Sequence, residues 1–121
     1  MIEIVRISEK GKQQLITLKR RTGIENWNTL CRWALCFSLS ESSTPPDEDI
    51  QADSNIEMAW KTFAGADSEL FEVLIKERLI KDGLEDSDPN HWFKIHLHRG
   101  ISYLNQKVSS ISDLSLSLAK H

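Results

Sequence analysis

The chain has 121 residues, 40 % apolar and 27 % charged, with four Trp and four Phe; that composition suits one globular core and excludes a natively disordered chain or two full domains. The net charge of −3 hides a division: residues 1–39 hold seven Lys or Arg against three Glu, residues 40–90 four against fourteen acids, and residues 91–121 four against one, so a basic first third is followed by an acidic middle. No apolar run approaches a membrane span and no basic-then-apolar leader opens the sequence, which predicts a cytoplasmic protein without membrane contact.

Residues 2–7 are short and β-branched and predict a strand or extended arm. Ser8 is a suitable N-cap for a helix to about Thr22, with Leu15, Ile16 and Leu18 as its apolar stripe. Lys19, Arg20 and Arg21 fall in its last turn, where cations complement the helix dipole. Gly23 then supplies the left-handed C-terminal position.

A second helix is predicted from about Glu25 or Asn26 to Ser40. Trp27, Leu30, Cys31, Ala34 and Leu35 line one face, and Trp33, Cys36, Phe37 and Leu39 extend the apolar surface almost around it. Such a helix is expected at the centre of the domain and against another copy of the chain. Residues 41–54, with Pro45, Pro46 and the Asp47-Glu48-Asp49 run, predict a flexible acidic loop. The segment 56–63 fits a strand or a helical turn equally. A third main helix follows from Asp67 or Ser68 to about Asp82, its core side Leu70, Phe71, Leu74 and Leu79, closed by Gly83. Asp88 followed by Pro89 starts a fourth. Its buried stripe is Phe93, Leu97, Gly100, Ile101 and Leu104, the small Gly100 admitting a close neighbour. After Asn105 the sequence is Ser-rich, with Ile111, Leu114 and Leu118 at helical spacing. The expected fold class is mainly α: one compact helical domain over 1–121 with a short N-terminal strand. It divides into a strand-helix-helix unit at 2–40, the loop 41–54, a helical remainder at 55–104 and a tail at 105–121 open to disorder.

Arg6, Lys10, Lys12, Lys19, Arg20 and Arg21 place a basic set on or beside the first helix. Long cationic side chains on an outer helix face contact phosphates without reading bases, and the turn at Gly23 can bring backbone close to a phosphate. The competing account is a solvated face. The acidic middle is expected to face away from DNA. His96 and His98 point roughly 160° apart on a helix, and His91 and His98 share a face about two turns apart. Neither pair chelates a metal, and hydrogen bonding is the expected role. Arg99 beside them is a candidate for a phosphate contact or for pairing with an acid of the central segment. Asp47-Glu48-Asp49 could hold Mg²⁺ for a nuclease, but its Pro-flanked loop argues for a solvated segment. Cys31 and Cys36 lie about 140° apart on one helix, too divergent to bridge, and read as two buried thiols. No phosphate-cradling glycine loop, Ser/His/Asp set or nucleophilic Cys motif is present, so neither an enzyme nor a cofactor is expected.

The order strand, helix, Gly-containing turn, helix over residues 2–40 resembles a ribbon-helix-helix unit. There an N-terminal strand without a partner in its own chain pairs across a dimer. A closer resemblance lies in whole phrases. VRIS (5–8), LKRRTGIENWNTLCRWALCFSL (18–39), PPDEDI (45–50), SNIEMAWKTFAG (54–65) and FKIHLHRGISYL (93–104) resemble sequence blocks of the DndE family and extend over most of residues 4–104. That resemblance implies an accessory protein of DNA phosphorothioation, in which sulfur replaces a non-bridging phosphate oxygen. It further implies affinity for duplex and nicked DNA, and a homo-oligomer, with a tetramer expected. The implied partners are the other Dnd sulfur-modification proteins: a sulfotransferase-like or reductase-like member, an ATPase and a cysteine desulfurase. Two other readings are an interaction scaffold for that machinery without DNA contact, and a nicking endonuclease using His96, His98 or the acidic loop.

Overall fold

A computed structural model describes residues 2–107. The expectations for the tail beyond Lys107 lie outside the described residues. In chain order the elements are β1 (Ile4–Arg6), α1 (Glu9–Thr22), α2 (Trp27–Ser40), β2 (Glu57–Ala59), α3 (Trp60–Ala64), a 3-10 turn (Gly65–Asp67), α4 (Ser68–Lys81) and α5 (Pro89–Lys107). The fold is mainly helical with one small two-stranded sheet.

The helix boundaries follow from local chemistry. Ser8 Oγ accepts from the Gly11 N–H at 3.0 Å, and Gly23, at φ 75°, returns its N–H to the Lys19 carbonyl. Asp88 Oδ1 accepts from the Asn90 N–H at 3.0 Å ahead of α5, with Pro89 in the first helical position where its missing donor costs nothing. The ambiguous segment 56–63 turns out to be both things in succession, β2 and then α3.

β1 finds its partner within its own chain. It pairs antiparallel with β2 in the register Ile4↔Ala59, Val5↔Met58, Arg6↔Glu57, and the ladder continues through Ile7 N–H to Ile56 O and Trp60 N–H to Glu3 O. The strand-helix-helix order is present, but the expectation that β1 has no partner in its own chain is corrected: one edge of β1 pairs with a segment more than fifty residues away.

α5 runs through the centre. Phe93, Ile95, Leu97, Ile101 and Leu104 are at most 1 % exposed, and α2, α1 and α4 pack around them. Gly100 lies directly beneath Ala34 of α2, the close approach its size predicted. An aromatic cluster closes one end: Phe63 sits 5.2 Å from Trp60, 5.4 Å from Phe93 and 5.6 Å from Phe71 between ring centroids.

Three burial expectations are corrected. On α4 the core side is Phe71, Ile75, Arg78 and Leu79, while Leu70 and Leu74 are 54 % and 39 % exposed. The helix carries two apolar stripes, and the aromatic cluster selects the one containing Phe71. Ile16 of α1 is exposed. Cys36 is exposed whereas Cys31 is buried, since α2 directs Leu35 and Phe37, not Cys36, into the core.

Candidate nucleic-acid interface

α1 buries Gly11, Leu15, Leu18 and Thr22; every basic side chain of the helix therefore lies on a flank or the outer face. At about 100° per residue the set divides. Lys12 and Lys19, seven apart, share one flank. Lys10 and Arg21 share the opposite flank, and Arg20 stands exposed on the outer face between the two flanks.

The Lys12 and Lys19 flank is preorganised. Lys12 Nζ donates to Asn55 Oδ1 at 2.7 Å, and Lys19 Nζ lies 4.5 Å from the centroid of the Trp27 ring. An ammonium group already held by a neighbouring side chain loses less rotamer freedom when it meets a phosphate. Lys12 lines a groove of about 500 Å³ together with Asn26, Trp27, Asn28 and Asn55 and the carboxylates of Glu25 and Glu57. Asn26 occupies the N-cap position of α2 without a capping side-chain bond, and Asn28 Nδ2 donates to Thr62 O at 3.1 Å. Arg6 joins this side of the molecule through Glu57, 3.6 Å away in an exposed ion pair; such pairs exchange readily for another anion. The amides and Trp27 were not among the sequence candidates. Trp27 read as core, and its approach to Lys19 exists only once the α1–α2 turn is formed.

The opposite flank meets three carboxylates against two on the Lys12 side. Lys10 lines a cleft of about 480 Å³ together with Glu48, Asp49 and Asp53 of the loop, so its charge is opposed by carboxylates. Arg21 donates to the Asn105 carbonyl at 2.9 Å. The acidic loop residues Glu48, Asp49 and Asp53 thus face the Lys10 flank, while Glu57 lies on the Lys12 side. The Gly23 turn is open, with no atom within 4 Å of where a Cβ would stand, and only its positive φ resists substitution there.

The loop 41–56 is bonded to the helices. Arg78, 5 % exposed, donates to the carbonyls of Leu39, Glu41 and Ser43, and its Nε meets Asp82 at 2.9 Å. Arg99 donates to Ser38 Oγ and O, both at 2.8 Å, and to Ser43 O at 2.9 Å. Two guanidinium groups therefore collect the carbonyls that α2 leaves open at its C-terminus, a position that favours cations. Arg99 is committed to Ser38 and Ser43 instead of an acid. At the other end Asp53 Oδ1 accepts from the Glu9 N–H at 2.7 Å and Ser54 Oγ donates to Ile7 O.

The histidines take up hydrogen-bonding positions. His91 Nε2 lies 2.7 Å from Asp47. His98 donates from Nδ1 to the Lys94 carbonyl and accepts the Ser8 N–H at Nε2, so its neutral ring ties α5 to the start of α1. His96 Nδ1 lies 2.8 Å from Ser38 Oγ, while its Nε2 is buried with no hydrogen-bond partner among the described residues. Among those residues no three His, Cys, Asp or Glu gather as a metal site. Burial pushes the Cys31 thiol up to about 12 and raises Cys36 as well, which keeps both sulfurs protonated and poorly nucleophilic.

Burial, reinforced by Arg99 and Arg78, pushes His96 down to about 4 despite the opposing pull of Asp82, and burial also lowers His98. In the unfolded chain both take up protons near pH 6.5. Their contribution to stability is therefore complete above that value and lost as pH falls through the lowered folded values. For His96 the loss between pH 6.5 and 4 is about 3 kcal/mol. The urea midpoint should fall between pH 7 and 5, and His96→Gln should flatten the fall; equal slopes in the two proteins would refute the assignment.

Comparison with known proteins returns one family, described as DNA sulphur modification protein DndE, over residues 4–112. Among solved structures, a crystal structure of a DndE glycine-to-lysine mutant involved in DNA phosphorothioation superposes with TM-score 0.68 at 19 % identity, covering 88 % of this chain and 99 % of that one. A crystal structure of DndE from Escherichia coli B7A, involved in DNA phosphorothioation modification, gives TM-score 0.68 at 21 % identity, covering 86 % and 98 %. At these identities the likeness is one of fold. Comparison with curated protein sequences finds no match.

Proposed function

The chain belongs to the DndE family of DNA sulphur modification proteins, and from that premise we propose that it is a non-catalytic DNA-binding subunit of the phosphorothioation machinery. It binds duplex DNA, nicked duplex included, as a homo-oligomer of four chains in the cytoplasm, alongside the other Dnd proteins. No helix among the described residues is long and apolar enough to cross a membrane.

The observation that carries this reading is the preorganised flank: Lys12 and Lys19 held by Asn55 and Trp27, with Arg20 free on the adjacent outer face. Arg6 reinforces it, Gly23 lets the neighbouring turn approach the backbone of the duplex, and Lys10 and Arg21 supply a second, weaker edge. Contacts of this kind neutralise phosphates and release counterions, so affinity depends on salt and not on sequence. In an oligomer the flank recurs, and individually weak contacts combine.

Replacing Lys12, Lys19 and Arg20 together by Gln should weaken binding at least tenfold and reduce the slope of log affinity against log salt by about three. Fluorescence anisotropy at several salt concentrations on intact and nicked duplex measures both. An unchanged slope in a folded triple variant would overturn the interface.

A further inference from the structure

α1 is fastened at its start by an imidazole from α5. His98 Nε2 accepts the Ser8 N–H at 3.0 Å, and its Nδ1 donates to the Lys94 carbonyl at 2.8 Å. A ring with one accepting and one donating nitrogen is neutral; the imidazolium has two donors and no acceptor. Gly11 makes room for it, since a Cβ there would stand 3.1 Å from His98 Cδ2. Ser8 passes the contact on. Its carbonyl accepts the Lys12 N–H at 2.8 Å, and its Oγ accepts the Gly11 N–H at 3.0 Å. The Lys12 ammonium in turn donates to Asn55. One run of hydrogen bonds therefore joins His98 to the first cation of the Lys12 and Lys19 flank.

We propose that His98 is a proton-operated joint that regulates this flank: the neutral ring holds the start of α1 and Lys12 in place, and protonation opens the joint. Protonation sets an Nε2–H against the Ser8 N–H across a gap that fits one hydrogen. It also puts a cation at the N-terminus of α1, the end where the helix dipole disfavours one. The cleft that His98 lines gives protons access to the ring. Around it stand Lys94 and Arg99 of α5 and Lys10 of α1, like charges to an imidazolium, and the Tyr103 phenol. Glu48, Asp49 and Asp53 of the loop oppose them. These carboxylates are exposed to screening solvent, and Asp53 already accepts the Glu9 N–H, whereas the Ser8 contact is direct. Burial and the Lys94 charge keep His98 protonation below the ordinary histidine range, against the pull of the Lys94 carbonyl and Glu48.

This regulation rests on the DNA-binding reading above, and the tests separate the two. Fluorescence anisotropy with a duplex at pH 7.5 and 5 compares wild type with His98→Gln, whose side-chain carbonyl can accept the Ser8 N–H without titrating. Circular dichroism checks that both stay folded. Falling pH makes both proteins more positive, which by itself tightens binding. Against that background wild type should lose about fivefold in affinity relative to the variant, the lower end of ordinary coupling between sites. Equal pH profiles in two folded proteins overturn the joint and leave the DNA interface standing. In the wild-type chain alone, NMR should show His98 as the Nδ1–H tautomer, and the Ser8 and Lys12 amide signals should move with its titration. Amide signals indifferent to that titration overturn the proposal, whether or not the variant folds. A wild-type chain that binds no duplex at pH 7.5 overturns the DNA reading and the regulation with it.

Discussion

Gly100→Ala should lower the melting temperature by at least about 10 °C, although alanine is the better helix former by roughly 1 kcal/mol. A Cβ on residue 100 would stand 1.8 Å from the Ala34 carbonyl oxygen and 2.4 Å from its carbon. Those atoms are backbone in the middle of α2 and cannot rotate away, so α2 and α5 must separate along the seam that forms most of the core. Overpacking ordinarily costs about 1–3 kcal/mol. A clash with rigid backbone at the central crossing lies at or above the upper end of that range, and the helix-propensity gain does not offset it. Circular dichroism during a thermal scan reads the result. An unchanged or raised midpoint would mean that the two helices do not meet at this distance.

A loss of similar size, with a different cause, is expected from Arg78→Met. The Arg78 and Asp82 side chains are 5 % and 6 % exposed and 2.9 Å apart. Removing the guanidinium leaves a buried carboxylate without its cation and takes a donor from the carbonyls of Leu39, Glu41 and Ser43 together. Breaking one side of a buried pair costs about 3–5 kcal/mol, whereas replacing both members by apolar groups costs far less. Urea unfolding should therefore show Arg78→Met well below wild type and the double variant Arg78→Met/Asp82→Leu partly recovered. Equal losses in the single and double variants would mean that Asp82 is not the group left stranded. Hydrogen exchange in residues 41–44 should accelerate in the single variant, since Arg78 and Arg99 together close the end of α2 over that stretch.

Where chemistry is decided within four residues, the sequence was sufficient. Ser8, Gly23, Asp88 and Pro89 mark helix ends because a cap satisfies backbone groups one turn away. Gly100 within an apolar stripe announced a close crossing because only a missing side chain permits one. The basic character of α1 and the acidic character of 40–90 could be counted directly, and the DndE phrases identified the family that the comparison returned. Tertiary structure alone decided which apolar face of α4 is buried, for both faces satisfy helical periodicity and only the aromatic cluster around Phe63 distinguishes them. It also supplied β1 with Glu57–Ala59 as its partner, a pairing that no local pattern specifies. For the candidate site it divided one basic set into two flanks, Lys12 and Lys19 against Asn55 and Trp27, Lys10 against the acidic loop. Charge can be counted along a chain, but the electrostatic environment of each cation depends on which distant residues the fold brings within a few ångströms of it.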